Sequence, residues 1–85
     1  MTKTIRSSGH EALCEALIAA RMTAGLTQAQ LADRLRCHQS FVARLESGQR
    51  RIDAIELIVI ARALNADAHA FLNVTEQHTE LDHEL

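Results

Sequence analysis

From Leu13 onward, apolar residues recur at intervals of three and four, and the polar residues between them gather at a few short breaks. Ser8-Gly9-His10-Glu11 has capping-box spacing, a hydroxyl followed three residues later by a carboxylate. The helix it opens aligns Leu13, Leu17, Ala20 and Ala24 on one stripe and ends near Gly25, a left-handed stop. Thr27-Gln28-Ala29-Gln30 is a second capping box, and the short helix after it turns Leu31, Ala32 and Leu35 inward. The chain turns at Arg36-Cys37-His38 and runs helical from Gln39 to Ser47, with Gly48 as the next stop. Asp53-Ala54-Ile55-Glu56 repeats the capping logic and starts the longest apolar element, which ends at Leu64-Asn65. Alone, Ile58-Val59-Ile60 suits a strand, but the cap before it and the alanines around it favour helix. A last short helix follows Asp67 and carries Phe71 and Leu72.

The expected fold is therefore all-α, a compact five-helix unit over residues 8–74. Residues 1–7 read as a flexible arm, and residues 75–85 as an acidic tail or a helix extension. The extension stays open because Val74, His78, Leu81 and Leu85 fall at i, i+4, i+7 and i+11.

Composition agrees with helices: Pro is absent and Gly occurs only 3 times in 85 residues. A chain of this size buries roughly 60–70% of its unfolded surface in one core, with no room for a deep cleft as well. Cys14 and Cys37 could form one disulfide, yet so aliphatic a core needs no staple, so a reducing compartment is expected. No apolar run approaches the ~20 residues that span a bilayer, and Met-Thr-Lys-Thr-Ile-Arg lacks a signal peptide's apolar stretch. A soluble, cytoplasmic protein with no membrane partner is the expectation. His10, His38, His69, His78 and His83 show no ligand spacing, so no metal is expected. Cys37 beside His38 is the one pairing that suggests a nucleophile. Adjacent turn residues diverge and no third group orients the imidazole, so neither an enzyme nor a cofactor is expected.

Charge distribution changes this picture more than the net charge of -2. Residues 1–20 are balanced. Residues 21–51 hold Arg21, Arg34, Arg36, Arg44, Arg50 and Arg51 against Asp33 and Glu46, a net of +4. Residues 52–85 carry seven acids against Arg62 alone, a net of −6. A basic segment that coincides with two short successive helices is a footprint for phosphate contact. On a 3.6-residue wheel of residues 39–47, Val42 and Leu45 point inward with Phe41 at the edge of that face. Ser40, Ala43, Arg44 and Ser47 point outward, and Gln39 flanks the first turn. Gln suits adenine, Arg suits guanine, and a small Ala permits close approach to a groove.

The motifs Leu26-Thr27-Gln28-x-x-Leu31-Ala32, Gln39-Ser40-Phe41-Val42, Leu45-Glu46-x-Gly48 and Ile60-Ala61-x-Ala63-Leu64, in this order, resemble the phage-repressor-like (Cro/repressor, XRE) helix-turn-helix family. The resemblance runs from about Leu17 to Leu72, about two-thirds of the chain. It implies a lambda-repressor-like domain in which Thr27 and Gln28 contact phosphate and Gln39, Ser40, Ala43 and Arg44 face the major groove. Gln49, Arg50 and Arg51 would sit on flanking phosphates. Arg21 and Glu46 match a structural ion pair, and Glu46 falls on the inward side of the wheel. Two positions depart from the family pattern. Arg36 stands where Gly is frequent, so a left-handed backbone there would be strained. His38 stands where Ser or Thr usually caps, and could instead reach a base.

The resemblance implies a sequence-specific DNA-binding regulator, foremost a homodimeric repressor on a palindromic operator in double-stranded DNA. A DNA-binding antitoxin, a controller protein or a protein-interaction module on the same fold are the alternatives, and a regulatory partner protein stays open. On the wheel of residues 53–64, Ala54, Leu57, Ile58, Ala61 and Leu64 share the core side. Ile55 and Val59 lie opposite and, with Phe71, Leu72 and Val74, make the candidate dimer interface.

Overall fold

The computed structural model describes residues 2–5 and 7–85. Its helices are α1 (Thr2–Ile5), α2 (Ser8–Thr23), α3 (Gln28–Leu35), α4 (Gln39–Glu46), α5 (Ala54–Ala63) and α6 (Ala68–Gln77). The five helices α2–α6 are the expected five, and no strand occurs among the described residues. Within the expected arm, Thr2–Ile5 form a single helical turn, while Met1 and Arg6 lie outside the described residues.

Local chemistry sets most of the helix ends. At α3, Thr27 accepts from Gln30 N at 3.1 Å while Gln30 Oε1 accepts from Thr27 N at 2.9 Å. At α5, Asp53 and Glu56 repeat that reciprocal box at 2.7 and 3.0 Å. Each box satisfies backbone donors that a helix start leaves open. The α2 cap is Ser7, not Ser8. Its hydroxyl accepts from His10 N at 3.2 Å and donates to Thr4 O at 2.7 Å, so the preceding turn shifts the helix start by one residue. Gly25, Arg36 and Asn65 close α2, α3 and α5 in the left-handed region. In each case the following N–H reaches five residues back, as Cys37 N does to Ala32 O at 3.0 Å.

The core draws Leu13 and Leu17 from α2, Leu31 and Ala32 from α3, and Val42 and Leu45 from α4. Ile60, Ala61, Leu64 and Phe71 complete it from α5 and α6. Packing of α6 is mainly along α2, and α3 lies against both α4 and α5. Gly9 is buried where the end of α6 passes, and a Cβ there would run into Thr79 Oγ1.

Two expectations need correction. Ile58, assigned to the core, is 42% exposed, and Ile60 is buried in its place. Ala54 is exposed as well. An almost wholly apolar helix offers no polar face by which to orient the wheel, so contact with α3 and α6 decides which stripe is covered. The end of the last helix also shifts: α6 runs on through Gln77, into the segment left open as tail or extension, and beyond it Leu81 and Leu85 project into solvent.

Candidate nucleic-acid interface

Helices α3 and α4 meet through the turn 36–38. Arg36 takes φ 57° and ψ 46°, the strained conformation expected where Gly would be at ease. His38 is the α4 cap residue and makes no side-chain capping bond. Val42 and Leu45 turn α4 onto the core, and Ser40, Arg44 and Ser47 are exposed. Gln39 is exposed, Ala43 half-buried, and Phe41 sits at the edge of the packed face. The outward face is the one drawn from the wheel.

What fixes that face is a chain of polar contacts. Glu46, 7% exposed, accepts from Arg21 Nε at 2.6 Å, Arg21 Nη2 at 3.1 Å and Gln28 Nε2 at 3.0 Å. Arg21 Nη1 also donates to Leu26 O at 2.8 Å, which ties down the loop before α3. Gln28 Oε1 in turn accepts from Gln39 Nε2 at 2.7 Å. Both ends of α4 are thus linked through Gln28 to the amino end of α3. A buried carboxylate is tolerable only when paired and hydrogen-bonded in this way. Gln39 is left with its amide oxygen and one N–H, the pair of groups that matches an adenine edge.

The basic footprint is smaller in space than in sequence. Arg21 is consumed by Glu46, and Arg34 Nη1 donates to Ala63 O at 2.9 Å, capping α5. Arg50, expected on a phosphate, makes a bidentate pair with Glu56 at 2.7 and 2.9 Å and lies 4.6 Å over the Phe41 ring. Arg36 and Arg44 are exposed, as are Thr27, Gln49 and Arg51, while Gln28 is half-buried within the network. Arg44 thus keeps its guanidinium toward solvent on the face drawn for the groove.

Sequence reasoning missed a second tie between α2 and α4. Cys14 Sγ donates to Leu45 O at 3.2 Å and lies 3.6 Å from His10 Nε2, with both side chains buried. Their i, i+4 spacing on α2 was the available signal. Burial, then Glu11, Glu15 and Glu46, pushes the Cys14 thiol up, which suits a donor rather than a nucleophile. Burial also raises the Cys37 thiol, and both cysteines are free. Among the described residues no group of three His, Cys, Asp or Glu is arranged to hold a metal. Nor is any of their helices long and apolar enough to cross a membrane.

The candidate dimer residues separate. Ile55 is 74% exposed, Val59 45% and Leu72 56%. Val74 is half-buried, and Phe71 lies in the core at 6%, so Phe71 has no surface to offer a partner. Ile55 and Val59 line a mostly apolar groove of about 210 Å³ together with Leu35, Cys37, Phe41, Glu56 and Ile60. A larger polar concavity of about 570 Å³, between Ser7–Gly9 and residues 78–84, contains none of the expected DNA contacts.

A helix-turn-helix family profile matches residues 17–71. Among solved structures, the chain is similar to an XRE-family like protein from Pseudomonas syringae pv. tomato. Identity is 42% and the TM-score 0.79, over 93% of this chain and 96% of that one. It is also similar to the clp gene regulator ClgR from C. glutamicum, with 27% identity and a TM-score of 0.75 over 87% and 96% of the two chains. No curated protein matches the sequence.

Proposed function

The chain belongs to the XRE-type helix-turn-helix family and is a DNA-binding transcription regulator; from its surface we propose that it is a homodimeric repressor reading a palindromic operator with α4. The observation that carries this reading is the Glu46–Gln28–Gln39 chain, which holds a glutamine at the amino end of α4 beside the exposed Ser40 and Arg44. Gln39 pairs with adenine and Arg44 with guanine, while half-buried Ala43 lets the helix approach. Thr27 and Gln28, at the start of α3, meet phosphate together with Gln49 and Arg51, and exposed His38 extends the base-reading set. One such helix covers few base pairs, so specificity comes from two half-sites about 34 Å apart. Ile55, Val59 and Leu72, with Val74 at their margin, supply exposed aliphatic surface for that pairing.

A duplex enriched by the protein from a random-sequence pool provides the test. Arg44→Ala and Gln39→Ala should each cost about 1–3 kcal/mol on it and relax choice at one base pair. Unchanged preference over shuffled DNA in both variants would remove α4 from the groove. A protein-interaction module would instead show no salt dependence of duplex binding at all. Sedimentation of the wild type at roughly tens of micromolar should give a dimer, and Val59→Asp a folded monomer with reduced operator affinity.

A further inference from the structure

Residues 47–53 join α4 to α5, and Arg50 is built into this connection. Its Nη2 and Nη1 meet Glu56 Oε2 and Oε1 at 2.7 and 2.9 Å, and Nη1 also donates to Arg51 O at 2.8 Å. The guanidinium lies 4.6 Å from the centre of the Phe41 ring. Glu56 is itself fixed, because its Oε1 accepts from Asp53 N at 3.0 Å in the capping box of α5. A bidentate guanidinium–carboxylate pair has a set plane, and an aromatic face beneath it sets the remaining direction. Phe41, Arg50 and Glu56 therefore form one unit across three consecutive parts of the chain.

The unit braces the amino-terminal end of α4, where it adds to the exposed Gln39–Gln28 contact. At its carboxy-terminal end α4 is held by Glu46 on Arg21, but at its amino-terminal end His38 provides no side-chain cap. Phe41, one residue beyond Ser40 and three before Arg44, is in that first turn. Its contact with Arg50 is a route by which α5 sets the tilt of the helix. A cation neutralised by its own carboxylate also has little to give a phosphate.

We infer that Arg50 and Glu56 are positioning residues, a strut acting through Phe41 to hold the amino end of α4 at the angle needed to discriminate its operator. This rests on the DNA-binding reading above.

The test compares binding of the duplex enriched by the wild type and of a shuffled duplex, by fluorescence anisotropy over a series of salt concentrations. Glu56→Gln keeps a capping-box side chain and removes one negative charge beside the basic face. By charge alone this change should strengthen binding to any DNA. The strut predicts that affinity for the shuffled duplex is held or raised while the ratio of enriched to shuffled affinity falls about tenfold, comparable to losing the readout of one base pair. Arg50→Met/Glu56→Gln leaves the net charge unchanged, so its ratio should fall with the salt slope as in wild type. Phe41→Leu keeps apolar bulk without the ring and should lower the ratio to the same extent, a check that stands even if a change at Glu56 disturbs folding. Urea unfolding of each protein establishes that it is folded at the assay temperature.

A ratio preserved in folded Glu56→Gln or Phe41→Leu overturns the strut. So does a slope shallower by about one unit in the double variant, which would place Arg50 on a phosphate. A wild type that binds enriched and shuffled duplexes alike removes the operator-reading role proposed for α4, and the strut with it.

Discussion

Replacing Glu46 with alanine should be among the most damaging single changes in the protein. Its side chain is 5% exposed and that of Arg21 14%, so the pair is shielded from water. Truncation leaves Arg21 Nε, Arg21 Nη2 and Gln28 Nε2 without their acceptors. Removing one partner of a buried pair costs roughly 3–5 kcal/mol. Arg21 retains its bond to Leu26 O and keeps some water contact, so the lower end, about 3 kcal/mol, is expected here. For a domain of this length, total stability is on the order of 4–13 kcal/mol, so the loss is a large fraction of it. The assay is urea unfolding, read as a lowered midpoint at unchanged slope. Arg21→Met/Glu46→Leu should regain most of the loss, because two apolar side chains leave no charge unpaired. Its operator discrimination should nonetheless stay low, since Gln28 and Gln39 lose their anchor. A cost below about 1 kcal/mol for Glu46→Ala, the range of exposed ion pairs, would refute the argument. A double variant as unstable as the single would refute it too, by showing that the stranded arginine is not the source of the loss.

Three further changes probe other parts of the fold. Arg36→Gly should stabilise: relief of the left-handed backbone is worth roughly 1–2 kcal/mol and the added freedom of glycine when unfolded costs about 0.5–1. The net of about 0.5–1 kcal/mol should raise Tm by roughly 3–6 °C in calorimetry, and a lower Tm would mean that residue 36 is not strained. Thr27→Ala should cost about 1 kcal/mol, because it removes the acceptor of the α3 capping box, and a neutral result in urea unfolding would contradict that role. Hydrogen bonds from Arg50 hold the Glu56 carboxyl below its usual value of 4.5, so the stabilisation is complete above that pH. It is lost as pH falls through the lower native value. Glu56→Gln should therefore flatten the acid limb of a plot of urea midpoint against pH, and parallel limbs for the two proteins would show that Glu56 is not held down.

The boxes Thr27–Gln30 and Asp53–Glu56, the stops at Gly25 and Gly48, and the inward turn of Val42 and Leu45 were all legible in the amino-acid order. Each is closed by bonds or faces only a few residues apart, so local spacing is sufficient to specify it. The strained turn at Arg36 and the weak cap at His38 were legible for the same reason, as departures from a pattern that local geometry enforces. Charge was legible only as a sum. A net of +4 over residues 21–51 does not reveal that Arg34 reaches a carbonyl on α5 and that Arg50 is matched by Glu56. Such partners are chosen by which helices pack together, and long side chains find carboxylates or carbonyls that sequence distance conceals. The same holds for α5, where Ile58 and Ile60 are chemically alike and only the surfaces of α3 and α6 decide which is buried. Sequence alone determined the five helices α2–α6, the capping boxes of α3 and α5 and the outward face of α4, because those follow from short-range hydrogen bonds and periodicity. The tertiary structure decided which arginines are tied to carboxylates or carbonyls and which aliphatics stay exposed, because both depend on what the folded chain has already covered.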